Sequence, residues 1–115
     1  MKDKQLDGLE LRQALVQLQG WHLDSTPPCI VKSWHFDTFR AAVRFFDQVA
    51  ELAELHDHHP ECLSVYTRMQ IRLWTHDAGG LTAKDIALAL AIEHSMANRP
   101  PSDGAKACRH WPGQW

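Results

Sequence analysis

The stretch TFRAAVRFFDQVAELAELHDHHP, from Thr38 to Pro60, decides the fold of this 115-residue chain. Its apolar residues recur at the i, i+3, i+4 and i+7 spacing of an amphipathic helix. They are Phe39, Ala42, Val43, Phe46, Val49, Ala50 and Ala53. Among the aromatic residues of this stretch, we assign Phe39, Phe45 and Phe46 to the core. Asp37 or Thr38 can cap the start of this helix. Pro60 disfavours helical geometry in the residue before it, so the helix is expected to end near His58.

Two shorter elements precede this helix. Leu11, Leu15 and Leu18 have helical spacing, and Gly20 follows as a stop signal. The segment from Cys29 to Phe36 is rich in β-branched and aromatic residues and predicts a strand.

The residues that follow predict strands and a third helix. Apolar and polar side chains alternate from Val65 to Thr75, which indicates one long strand or a hairpin that turns near Thr67. Thr82-Ala83-Lys84-Asp85 has the form of a capping box ahead of an apolar run. The order of elements predicts an α+β domain with helices packed on one face of an antiparallel sheet.

The predicted domain covers residues 1–97, and residues 98–115 are predicted to form a flexible C-terminal tail. The stretch Asn98 to Gly104 has no apolar periodicity and is rich in proline and polar residues. Trp111 and Trp115 are the tail residues that would bury most surface if they docked on a neighbour.

Composition excludes several classes of function. Twelve Lys and Arg residues against fourteen Asp and Glu give a formal charge of −2, which argues against direct nucleic-acid binding. No apolar run approaches the roughly 20 residues of a membrane span, so we expect a cytoplasmic protein with no membrane partner. Cys29, Cys62 and Cys108 are odd in number and widely spaced, which fits reduced thiols rather than a disulfide framework.

The candidate site residues are histidines and carboxylates at the ends of the predicted elements. Glu54 stands one helical turn before His58 and is expected to project to the same side. His59 follows, His76 ends the alternating segment, and Asp85 opens the third helix. Imidazoles exchange protons near neutral pH and carboxylates can orient them, so the set is equipped for acid–base chemistry.

Simpler interpretations stand beside this one. A carboxylate at the position of Asp85 is favoured by helix capping in any protein. A metal site built from His56, His58, His59 and His76 is the other alternative. The helix carries no i, i+4 histidine pair and Pro60 interrupts the geometry, so no metal ligand is predicted.

The spacing of these residues resembles a known family signature. The pattern Glu54-x3-His58-His59-Pro60-x5-Tyr66-x9-His76-x8-Asp85 closely resembles that of the pterin-4a-carbinolamine dehydratases, and similarity extends from about Trp21 to His94. The resemblance implies a four-stranded antiparallel sheet with three helices packed on one face. It also implies dehydration of 4a-hydroxytetrahydropterin, the product of aromatic amino-acid hydroxylases, to quinonoid dihydropterin, without metal or organic cofactor.

The resemblance assigns roles and partners as well. It implies that His58, His59 and His76 line the pterin pocket and transfer protons, and that Glu54 and Asp85 are acidic residues of the same site. It further implies a homodimer or homotetramer. Because the family includes a dimerisation cofactor of a transcription factor, a non-catalytic pterin-binding or dimerisation module is the alternative. The chain departs from many members at Cys62, where they carry an aromatic residue.

Overall fold

The computed structural model describes residues 4–97 and 104–108 and has an α+β architecture. Its elements are α1 (Gly8–Val16), β1 (His22–Ser25), β2 (Pro28–His35), α2 (Phe39–His56), β3 (Glu61–Val65), β4 (Arg68–Leu73), a 3-10 turn (His76–Ala78), α3 (Ala83–Ala97) and β5 (Lys106–Cys108). The predicted fold class is confirmed. The sequence analysis did not assign β1 or the first residues of β3.

Four antiparallel strands of the sheet lie in the order β1-β2-β4-β3, and the short β5 adds a fifth by pairing with β2. Opposite residues on β2 and β4 include Ile30 with Leu73 and Trp34 with Met69. The alternating segment is a hairpin rather than one long strand, because the chain turns at Tyr66 and Thr67 and Tyr66 adopts a left-handed backbone with φ 52°. The turn therefore lies where the hairpin alternative placed it.

The core lies between one face of the sheet and the helices. Ile71 and Leu73 are fully buried there, together with Phe45 of α2 and Leu88 of α3. The ring of Trp34 packs on Phe45, with 4.8 Å between ring centroids. Alternation along each strand points these side chains to one face, so the helices cover that face.

A partly buried ion pair ties α3 to β2 beside this core. The Nζ atom of Lys32 contacts the Glu93 carboxylate and donates to the carbonyl of Gln19 at 2.9 Å. The indole of Trp21 donates to the same carboxylate oxygen at 2.8 Å. The buried Lys32 ammonium is therefore hydrogen-bonded, as a buried charge requires, and the partly exposed Glu93 carboxylate is its partner.

The helix α2 is rotated relative to the predicted core assignment. Phe45 is buried as expected, but Phe39 and Phe46 are 51% and 45% exposed, so their assignment to the core is wrong. Two apolar stripes run along α2, and the sheet covers the one that contains Ala42, Phe45 and Val49. Residue spacing alone cannot tell which of two adjoining apolar stripes faces the sheet.

Part of the predicted tail joins the sheet. The strand β5 pairs with Ser33–His35 of β2, on the same edge that β1 covers at Pro28–Val31. Lys106–Cys108 therefore does not lie apart from the fold, because its backbone groups pair with those that β1 leaves open. The domain boundary at Ala97 stays a prediction. The remainder of the tail, with Trp111 and Trp115, lies outside the described residues.

No helix in the described ranges is long and apolar enough to cross a membrane.

The core assignment predicts a large effect at Ile71. Ile71→Ala removes a fully buried side chain from the centre of the sheet and should lower the free energy of unfolding by about 2–5 kcal/mol. Leu63→Ala, at an exposed position of the neighbouring strand, should change it by about 0.5 kcal/mol or less. Urea denaturation of both variants measures the difference, and equal midpoints would contradict this account of the core.

Candidate active site

The end of α2 separates two neighbouring histidines. Asp57 adopts a left-handed backbone with φ 50°, and its N–H donates to the carbonyl of Glu54 at 3.2 Å. The N–H of His58 donates to the carbonyl of Ala53 at 3.0 Å. These bonds form the Schellman arrangement that ends helices. Beyond it His58 is buried, whereas His59 stays at the surface.

This geometry changes the partner of Glu54. We expected Glu54 and His58 to share one side of the last helical turn, which is wrong because α2 ends at His56 and His58 lies beyond it. Glu54 instead pairs with His59, with 2.7 Å between Oε2 and Nε2. Both side chains are largely exposed, so the pair orients the ring and contributes little to stability.

Asp85 holds His58 from the interior. The Nε2 atom of His58 lies 2.6 Å from Oδ1 of Asp85, and the Asp85 side chain has no exposed surface. The second oxygen, Oδ2, accepts from the Thr75 hydroxyl and from the backbone N–H of Thr82, each at 2.9 Å. Three donors thus converge on the buried carboxyl group, which satisfies its hydrogen-bonding capacity without water.

A chain of hydroxyl groups extends this network along the start of α3. The Thr82 hydroxyl lies 2.8 Å from the Thr75 hydroxyl and accepts from the backbone N–H of Lys84 at 3.2 Å. Asp85 reaches back to the N–H of Thr82, which confirms one half of the predicted capping box. The other half is shifted, because Thr82 bonds the second helical N–H rather than the third. Asp85 therefore caps α3 and holds His58 at the same time.

His76 begins the 3-10 turn that follows β4. Its exposed ring lies tilted against the Trp74 ring, with 4.8 Å between centroids. The N-terminal segment fastens this turn, because Leu6 donates its N–H to the carbonyl of Leu81 at 2.8 Å and the Gln5 amide bonds a carbonyl of the turn itself. The position of His76 is thus supported on both sides.

These elements enclose one polar cleft of about 360 Å³, which we call the histidine cleft. It is lined by Asp57, His58, His59, Trp74, Thr75, His76, Asp77 and Lys84. The three predicted histidines therefore share one site. Glu54 flanks it through His59, and Asp85 lies beneath it without lining it.

The sequence analysis missed two contributors to this cleft. The sequence analysis gave Trp74 no role in the site, yet its ring lines the cleft beside His76. It named Thr75 only as the end of the alternating segment, and the bond from Thr75 to Asp85 depends on a contact between residues ten positions apart. If the alternation of β4 is continued past Leu73, Trp74 falls on the face of the strand opposite the core. This is the one local signal in the sequence for its position.

The arrangement offers proton donors and acceptors. Within residues 4–97 and 104–108, no three His, Cys, Asp or Glu side chains come close enough together to hold a metal ion. The cleft brings together three imidazoles, and two of them have carboxylate partners. Such a site can give a proton to one atom of a bound molecule and take a proton from another.

Comparisons with known proteins agree on one family. Residues 4–95 match the family model described as pterin 4 alpha carbinolamine dehydratase. A protein of Rhizorhabdus wittichii with that provisional name is 48% identical over 84 residues, which cover 73% of this chain and 87% of the relative. A protein of Rhizobium etli with the same provisional name is 40% identical over 99 residues, covering 86% of this chain and 98% of the relative.

Solved structures show the same fold. A transcriptional coactivator/pterin dehydratase from Brucella melitensis superposes with a TM-score of 0.75 at 35% identity, over 79% of this chain and 97% of that one. A pterin dehydratase-like protein described as a RuBisCO assembly factor in the alpha-carboxysome superposes with a TM-score of 0.58 at 22% identity, over 71% and 94%. The second likeness concerns the fold alone.

The network around Asp85 predicts a stability effect. Asp85→Ala leaves three buried donors without their acceptor, each costing about 1–3 kcal/mol, so the free energy of unfolding should fall by about 3 kcal/mol or more. Asp77→Ala, at an exposed carboxylate of the same cleft, should change it by about 0.5 kcal/mol or less. Urea denaturation compares the two variants. A cost below about 1 kcal/mol for Asp85→Ala would show that water replaces the lost acceptor.

Proposed function

The chain belongs to the pterin-4a-carbinolamine dehydratase family, and from that premise we propose that it dehydrates 4a-hydroxytetrahydropterins to quinonoid dihydropterin and water. This reaction returns the pterin cofactor of aromatic amino-acid hydroxylases to a reducible form. The observation that carries the proposal is the meeting of His58, His59 and His76 in one cleft. We assign the catalytic chemistry to these three histidines.

The reaction needs one proton donor and one proton acceptor. The C4a–oxygen bond breaks as the departing hydroxyl takes up a proton and leaves as water. The N5–H bond gives up its proton, and its electron pair forms the C4a=N5 double bond. The proton taken up and the proton released balance, so acid–base groups are sufficient. Each positioned group contributes about 10²–10⁴ in rate.

We assign the proton acceptor to His58. Asp85 accepts a hydrogen bond from Nε2–H of this ring, which fixes the tautomer that leaves Nδ1 as a base. A carboxylate partner also stabilises the imidazolium that forms when the ring takes up the N5 proton. Asp85 is fully buried and is therefore a positioning residue that acts through His58, whereas Glu54 lies at the surface and acts through His59.

We assign the proton donor to His59 or His76, the two histidines on the surface side of the cleft. Glu54 accepts a hydrogen bond from His59 and orients its ring. His76 lines the same cleft on the turn after β4, with its ring beside Trp74. We assign protonation of the departing hydroxyl to one of these two histidines.

A second proposal concerns assembly. Phe39, Val43, Phe46 and Ala50 form an exposed apolar stripe on α2, and Tyr66 extends it through its contact with Phe39. We name these five residues the outer patch. Contiguous exposed apolar surface of this kind marks protein interfaces. The outer patch supports a homodimer or homotetramer built through α2, and it is also the surface that the alternative, a non-catalytic dimerisation module, would use.

The catalytic proposal predicts losses of turnover. His58→Ala and His76→Ala should each lower kcat for carbinolamine dehydration by about 10-fold or more, because each removes a proton-transfer group. Stopped-flow absorbance of the decaying carbinolamine measures the rate, before and after treatment with a chelator, which should not change it. His56→Ala is the matched control, since this histidine ends α2 outside the cleft.

Three results would count against this assignment. Wild-type protein that leaves the spontaneous decay rate unchanged would favour the non-catalytic module. Normal turnover in both cleft variants would exclude His58 and His76 as acid–base groups. Loss of activity with chelator, restored by zinc, would reinstate a metal mechanism.

The assembly proposal predicts a change in mass. Val43→Glu places a charge in the outer patch and should shift the protein toward the 13.1 kDa monomer in sedimentation velocity. Leu9→Glu, at an exposed leucine of α1 outside the patch, should leave the mass of wild type unchanged. A monomeric wild-type protein, or an oligomer that survives Val43→Glu, would place the interface elsewhere or remove it.

A further inference from the structure

An apolar cavity of about 310 Å³ lies between α2 and β3, next to the histidine cleft. Its lining consists of Phe46, Val49, Ala50, Ala53, Glu54, His59, Pro60 and Cys62. We call it the α2–β3 cavity. Most of these side chains are hydrocarbon, and the two alanines of α2 leave the space open. Nothing in the acid–base scheme uses this cavity.

The α2–β3 cavity adjoins the reactive site. His59 lines both the cavity and the histidine cleft. A smaller depression bridges them, because it shares Pro60 with the cavity and Trp74 and His76 with the cleft. A ligand held by the histidines can therefore extend into the cavity without crossing bulk protein.

The two halves of a reduced pterin differ in polarity, as the histidine cleft and the α2–β3 cavity do. The pyrimidine half carries N–H and carbonyl groups and suits the polar cleft, where Thr75 and Lys84 stand. The other half carries the saturated carbons C6 and C7. C6 is bonded to N5, which is bonded to the reacting C4a. A substituent on C6 must therefore leave the ring close to the histidines.

We propose that the α2–β3 cavity is a subsite for an alkyl substituent at C6 of the pterin, and that Cys62 sets its depth. The inference rests on the proposed function, because it places the reacting half of the pterin at the histidines. Of the cavities that share His59, this one has the predominantly apolar wall that a hydrocarbon substituent requires.

Cys62 suits a hydrocarbon wall. It lies on the core-facing side of β3, opposite Ile71, and is partly buried. Burial raises the pKa of its thiol to about 11, so the group is neutral at physiological pH. A neutral thiol is small and weakly polar and behaves as an apolar surface. A larger side chain at this position would occupy the cavity itself.

The first test uses the wild-type protein. Titration calorimetry under anaerobic conditions gives Kd for 6-methyl- and 6-propyltetrahydropterin, which lack the 4a-hydroxyl and do not react. Each buried methylene strengthens binding about fourfold, so the propyl compound, which has two more, should bind about 15-fold more tightly. The same ratio is expected in kcat/KM for the two carbinolamines generated in situ.

Substitutions on β3 locate the effect. Cys62→Trp fills the cavity and should reduce the propyl-to-methyl ratio to about 1, and Cys62→Phe does the same with a smaller ring should the first variant fold poorly. Leu63→Trp is the matched control. It adds the same ring on the opposite face of the same strand, so the ratio of wild type should persist.

The outcomes separate the subsite from the proposed function. Equal Kd values in wild type would overturn the subsite while turnover of either carbinolamine upholds the function. A propyl preference without turnover would uphold the subsite and overturn the dehydratase assignment, and no binding of either pterin would overturn both. A ratio unaffected by Cys62→Trp, with a changed sedimentation mass, would show that a second copy of the chain fills the cavity instead.

Discussion

The hydrogen bonds accepted by the Asp85 carboxyl group are the constraint on which the rest of the site depends. The three donors belong to different parts of the chain: the exit of α2 at His58, the end of β4 at Thr75 and the start of α3 at Thr82. An unpaired buried carboxylate would cost several kcal/mol, so these parts must meet for the fold to be stable. The interaction that closes the fold is therefore the same one that orients His58.

The end of α2 places the adjacent residues His58 and His59 in different surroundings. The left-handed backbone at Asp57 lets His58 enter the interior while His59 faces water beside Glu54. A buried carboxylate partner holds one ring, and an exposed carboxylate partner contacts the other at the surface. Two chemically equal side chains thus acquire different surroundings from the backbone geometry at Asp57.

Sequence signals that act over a few residues predicted the helices and strands, but they did not predict the contacts between these elements. The cap at Thr38 and the alternation along β4 each act within a few residues and were found where expected, and α2 ends at His56, two residues before the expected end near His58. The shared side of Glu54 and His58 failed because helical spacing holds only inside the helix, which ends before His58. The strand β5 was missed because three residues carry too little pattern to register as a strand, and its pairing depends on the edge that β1 leaves open.

The helix α2 serves the core, the site and the outer patch at once, and this limits how independently they can vary. Its inner stripe packs on the sheet through Phe45 and Val49. Its outer stripe ends at Ala50, one helical turn before Glu54. The α2–β3 cavity lies between the two stripes and touches both Val49 and Glu54. A partner that covers the outer patch therefore contacts the same helical turns that carry Glu54 and bound the cavity, so the proposed assembly and the proposed pterin site share one helix.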